Sequence, residues 1–155
     1  MIANVIRFIG LLLMSLLVGT MFGIWLGFNP ATLTAATYIE QQQNAIRALN
    51  TAMPALGAIC ILLTAALAAM TKDNPRSRYL LIAAVALLVV AGLVTRFANQ
   101  PINSLVMTWS AQAPPAIWTE LRDTWWNWHV LRTVAGICAL SLTILAAVSR
   151  QRAQP

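Results

Sequence analysis

Four stretches of this chain carry no charged side chain at all: Phe8–Ile39, Ala48–Thr71, Tyr79–Thr95 and Thr133–Ser149. Each is as long, or nearly as long, as the roughly 20 apolar residues that cross the hydrocarbon core of a bilayer. A water-soluble helix bundle would need a polar outer face on every helix, and these runs have almost none. Only 9% of the residues are charged, against about 25% in ordinary soluble domains. With 155 residues there is room for one domain. The fold expected is all-α, an integral membrane four-helix bundle. Its helices fall at about 4–28, 37–71, 78–98 and 116–150, the last including an outer segment before the span. Apolar character persists to Phe28, well past the 7–15-residue core of a signal peptide, so the first run is read as a retained span.

Net charge is +6, and it divides by side. Arg7, Lys72, Arg76, Arg78, Arg150 and Arg152, with Asp73, fall on the side shared by both termini, giving +5. Arg47, Arg96, Arg122 and Arg132, with Glu40, Glu120 and Asp123, fall opposite, giving +1. The positive-inside rule then places both termini in the cytoplasm, as in a bacterial inner membrane. These cations are scattered over helix ends and not massed on one face, which argues against nucleic acid as a partner. Cys60 and Cys138 fall near mid-helix and read as free, buried thiols.

Gly19, Gly23 and Gly27 recur every four residues in the first span. Such a face lets another helix approach closely. Packing inside the bundle is the first expectation and a homo-oligomer through the same face the second. Asn29-Pro30 ends that helix. The second helix is expected to begin outside the bilayer near Thr37, with a polar face of Gln43, Arg47 and Asn50, and to kink at Pro54. The connection Asn99–Thr119 is read as irregular, closing on Pro114-Pro115 before a new helix.

Polar groups gather at one end. Asn29, Asn44, Arg47, Asn50, Arg96, Asn99, Asn103, His129 and Arg132 sit at the outer ends of the four helices. Trp118, Arg122, Trp125, His129, Arg132 and Gly136 follow helical spacing and line one face of the last helix. Tryptophan and arginine also anchor helices at membrane interfaces without further function. Anchoring and a polar pocket therefore both stay open on the residues alone. There is no phosphate loop, nucleophile elbow or metal-ligand spacing. The four carboxylates lie outside the apolar runs, so a proton relay through the bundle lacks its usual carriers.

Several motifs together resemble the anthrone oxygenase-like family of four-helix membrane proteins, mostly bacterial, with fungal relatives that oxidise anthrones to anthraquinones. They are the glycine-rich end of the first span (Gly19 to Pro30) and Asn50-x-x-x-Pro54. They continue with Asn99-x-Pro101-x-Asn103, then Trp118, Arg122, Trp125, His129, Arg132 and Thr133 in a fixed order. The resemblance spans nearly the whole chain. It implies an oxygen-dependent oxidase of a lipophilic anthrone, phenol or hydroquinone that needs no cofactor. By that resemblance His129 would be the base and Arg132, with Arg122, the anchor for the substrate anion. Asn50, Asn99, Asn103, Trp118, Arg122 and Trp125 would bind the substrate. The competing reading is a non-catalytic lipid- or quinone-binding or structural membrane protein. A transporter fits less well, since the polar groups sit at one end and no repeat is evident.

Overall fold

The computed structural model describes residues 2–151. Four of its helical segments are long and apolar enough to cross a membrane: Ile2–Thr32, Ala52–Met70, Pro75–Val106 and Trp118–Ser149. The chain is a multi-pass, all-helical membrane protein. Helix α1 (Ile2–Gly27) leads through a short 3-10 turn into α2 (Ala35–Leu49), followed by α3 (Ala52–Met70) and α4 (Pro75–Val94). A π turn, Thr95–Asn99, joins α4 to α5 (Gln100–Val106), and the long α6 (Trp118–Gln151) completes the bundle.

The helices form a ring in which α1 packs on α3 and α6, and α4 packs on the same two. The centre is filled by Met14, Leu17, Val18, Met21, Cys60, Ala84, Leu88 and Ala139. Leu67, Ala68, Leu81 and Ala146, with Ile6, close one end. The start of α1, the end of α6 and the α3–α4 connection therefore meet at that end. Arg150 has its side chain, and Arg152 its whole residue, outside the described part. The outer surface is the reverse of a soluble bundle. Phe8, Leu12, Leu16, Leu62, Leu93 and Leu145 all point outward. Hydroxyls within the spans bond back to their own helix, as Thr64 does to the Cys60 carbonyl (2.7 Å) and Thr143 to that of Ala139 (2.8 Å). That is how an isolated hydroxyl is satisfied where lipid offers no partner.

Local sequence sets the boundaries. Pro30 holds Asn29 extended, and the Asn29 side chain caps the Ala31 amide at 3.0 Å. Thr34 caps α2, and Asn74 with Pro75 opens α4. Two expectations change. The second helix is not one kinked rod. It stops at Leu49 and restarts at Ala52, which puts Pro54 in the first turn of α3, where its missing N–H is no loss. Asn99–Val106 is helical and extends the third span. The reason is the π turn: the Gln100 N–H bonds the Thr95 carbonyl five residues back, and the wider turn accommodates Pro101 without its ring striking the preceding one.

The glycine face of α1 also differs from expectation. Among the described residues no atom of a neighbouring element lies within 4 Å of a Cβ built at Gly19, Gly23 or Gly27. The close approach occurs instead at Gly136 of α6, where a Cβ would sit 2.7 Å from Met21 Cε and 3.3 Å from Val18 Cγ2.

Candidate functional site

A cavity of about 470 Å³ opens within the polar end of the bundle, well inside the range of small-molecule sites. Leu17, Met21, Ile61, Leu88 and Met53 form its apolar part. Gln41, Gln42, Asn44, Asn50, Thr95, Arg96, Gln100, Asn103, Trp125 and Arg132 supply polar groups. Helix α2 covers this end. Its buried face is Tyr38, Ile39, Gln42 and Ile46, and the Gln43 amide ties it down by donating to the carbonyls of Val106 and Trp109, each at 2.9 Å.

Asn103 is the hub of the polar wall. Its Oδ1 accepts from the Trp125 indole N–H at 2.8 Å and from Gln42 Nε2 at 3.4 Å, while its Nδ2 donates to Asn50 Oδ1 at 2.8 Å. One amide thereby links α2, the α2–α3 break, α5 and α6. Such a satisfied network holds its members in one arrangement.

Arg132 faces the cavity from α6. Its Nη1 donates to Thr95 Oγ1 at 3.2 Å, and its Nε and Nη2 donate to His129 Nδ1 at 3.2 and 2.9 Å. The guanidinium also lies 5.8 Å from the centre of the Trp125 ring. All these partners are neutral or aromatic, and the ion pair formed among the described residues belongs to Arg122 and Asp123. Arg132 is thus a half-buried cation that meets no carboxylate among the described residues.

His129 is fully buried behind it, stacked against Trp125 (5.1 Å, 1°) and Trp126 (5.7 Å, 29°). Because Nδ1 accepts from arginine, the ring proton belongs on Nε2, which faces the Met21 carbonyl at 3.1 Å. Both nitrogens are engaged, and the ring does not line the cavity.

The structure therefore brings together Asn50, Asn103, Trp125 and Arg132 on the cavity wall. Asn99 is fully buried and braces the Trp125 carbonyl through Nδ2 at 3.0 Å. The π turn explains this, because one extra residue advances the helical face, and Gln100 joins Arg96 and Asn103 on the wall in place of Asn99. Trp118 and Arg122 belong to an outer cluster. The Arg122 guanidinium lies 5.0 Å from the Trp118 ring and bonds Asp123 at 2.8 Å, and Trp118 packs on Tyr38. Burial pushes the Tyr38 phenol up to about 12, partly countered by Arg122 nearby. Arg96, named from the sequence among the polar helix ends, lines the wall, whereas Gln42 and Gln100 are wall residues that the reading of the sequence passed over. Among the described residues no three His, Cys, Asp or Glu side chains gather as a metal site requires.

The family model described as anthrone oxygenase matches residues 42–142, more than half of the chain. The protein belongs to the anthrone oxygenase family. No curated protein and no solved structure matches it. The matched stretch of this anthrone oxygenase family member contains every polar wall residue named above except Gln41, so the shared region and the cavity's polar wall nearly coincide.

Proposed function

We propose that the protein oxidises a planar, lipophilic anthrone, phenol or hydroquinone with dioxygen inside this cavity. The observation that carries the reading is Arg132, a cation that meets no carboxylate among the described residues and lines a mostly apolar pocket. A charge so placed attracts an anion, and a desolvated arginine binds an oxyanion more strongly than it would in water.

The chemistry needs an anion. An anthrone loses the proton from its benzylic carbon to give a delocalised phenolate-type anion, whose oxygen would sit on Arg132 and whose rings would lie along Trp125. Stabilising that anion lowers the barrier to forming it. Dioxygen takes electrons from the anion, a carbon–oxygen bond forms at the same carbon, and loss of water leaves the quinone. One anthrone and one dioxygen give one anthraquinone and one water. A hydroquinone would instead give its quinone and hydrogen peroxide. In this reading His129 positions Arg132 and is not the base, since its Nδ1 lone pair already receives two arginine N–H groups. The proton leaves to water at the polar rim, where Asn44 is exposed.

Oxygen uptake by purified protein with a panel of anthrones and hydroquinones tests this. Wild-type uptake that falls by roughly 10²–10³ in Arg132→Ala is expected, the cost of removing one oxyanion donor in other enzymes. No uptake from folded, monodisperse wild type, with a lipid or quinone retained through purification, would replace the oxidase by a binding protein.

A further inference from the structure

The cavity wall carries exposed residues at two levels, and different surroundings meet each. At the polar end its exposed wall residues are Phe28 and Asn44. Deeper in the bundle they are Ala58 of α3 and Gly92 of α4, with Arg96 one turn beyond Gly92. Ala58 lies six residues past Ala52, the start of α3, roughly 9 Å of helical rise, and is inside the apolar span Ala52–Met70. Its neighbour Ile59 is 45% exposed, and Val89 and Leu93 beside Gly92 are 39% and 51% exposed. These belong to the outward apolar belt, so the cavity wall at this level faces lipid.

Small side chains here do not serve close helix packing. Among the described residues no atom of a neighbouring element stands within 4 Å of a Cβ built at Gly57 or Gly92, whereas a contact glycine such as Gly136 meets one at 2.7 Å. Two adjacent helices therefore present small residues along the cavity where larger side chains would narrow it.

We propose that the gap between α3 and α4, framed by Gly57, Ala58 and Gly92, is a lateral portal between bilayer and cavity. The ligand it admits has a two-oxygen aromatic head and a flexible alkyl tail. The head lies between Arg96 and Arg132, both of which line the cavity, and the tail lies in the gap. A lipophilic solute already partitions into the bilayer, so sideways entry spares it a passage through water. This rests on the cavity being a substrate site, but its test does not depend on turnover.

The experiment is stopped-flow quenching of tryptophan fluorescence, Trp125 being on the cavity wall, with protein in phosphatidylcholine nanodiscs. The probes are 2-decyl-1,4-benzohydroquinone and unsubstituted 1,4-benzohydroquinone, on wild type, Gly92→Leu, Gly57→Leu and the outward-facing control Gly23→Leu. Leucine there narrows the passage and also takes the place of the bound tail, so either cavity variant should slow association of the decyl probe roughly tenfold and weaken its Kd. The unsubstituted probe, free to use the polar rim, and the Gly23→Leu control should keep wild-type rates. Wild-type rates for the decyl probe in both cavity variants, or no binding of that probe by wild type, would overturn the portal. Slowed binding with no oxygen uptake by any form would leave the portal standing and remove only the oxidase.

Discussion

Arg132 and His129, one helical turn apart on α6, meet at a single acceptor, the Nδ1 of His129. Two N–H groups of the guanidinium converge on Nδ1, at 3.2 and 2.9 Å. The imidazole is fixed in turn by two stacked tryptophans and by the Met21 carbonyl of α1. A flexible arginine is thereby held by a rigid, buried ring, which is the kind of support that sets the direction of a charge.

Replacing that ring separates support from proton transfer. Glutamine offers an acceptor for Arg132 and a donor for the Met21 carbonyl but is not a base near neutral pH. His129→Ala is expected to lower oxygen uptake on the order of 10²-fold, the effect of a misplaced charge. His129→Gln should recover much of the loss. Glutamine as inactive as alanine, with both variants folded, would restore the histidine to the role of base.

The legible parts of this molecule were those fixed by composition and period. Charge-free runs located four spans because lipid tolerates nothing else, and i, i+4 spacing put Trp125, His129 and Arg132 together because α6 is regular. The reading failed where the backbone leaves that period. One extra residue in the turn Thr95–Asn99 exchanged Asn99 for Gln100 on the cavity wall, and no single residue type announces a π turn. Similarly, Trp118 and Arg122 continue the α6 stripe by spacing, yet they rise past the cavity and are met by Tyr38 and Asp123. Gly19 and Gly136 look alike as letters, and only the neighbouring helix decides which is crowded.

Asn103 and Trp125 should prove energetically coupled. Trp125→Phe removes the indole donor and leaves Asn103 Oδ1 with only the long 3.4 Å contact from Gln42. A loss of about 1–3 kcal/mol is expected, the cost of stranding a buried polar group. Adding Asn103→Leu should cost less than the two single losses combined, by about 0.5–3 kcal/mol. Chemical unfolding in detergent, run as a double-mutant cycle, measures this, and strict additivity would deny that the pair forms a unit.

Tyr38 gives the protein an alkaline weakness. Its phenol, 1% exposed, is pushed from the ordinary value near 10 up to about 12 by burial. Between those values the unfolded chain has lost the proton and the folded one keeps it, so stability falls as pH rises. Below pH 10 the contribution is fully present, and a loss of about 2–3 kcal/mol is expected by pH 12. Among the described residues the hydroxyl has no hydrogen-bond partner, so Tyr38→Phe should be nearly neutral at pH 8 while removing this alkaline limb. Thermal unfolding of both proteins at pH 8, 10, 11 and 12 checks it, and parallel curves would mean that the phenol ionises normally.

Glycines on α1 and α6 should respond oppositely to alanine. At Gly136 a new Cβ would meet Met21 Cε at 2.7 Å and Val18 Cγ2 at 3.3 Å. Met21 ends in a flexible chain and can retreat, but it lines the cavity, as Gly136 does. Gly136→Ala is therefore expected to cost about 1 kcal/mol, at the low end of overpacking, and to weaken ligand binding by pushing Met21 inward. Gly19 and Gly23 face open space, where alanine gains about 0.5–1 kcal/mol of helix propensity within a single copy of the chain. A second copy docked on that face would reverse the sign, since the added methyls would push the two helices apart. Unfolding in detergent alongside light scattering resolves the two cases. Gly19→Ala and Gly23→Ala that stabilise a monomer leave the glycine face to lipid. Variants that dissociate a dimer and lose stability assign it to a partner copy.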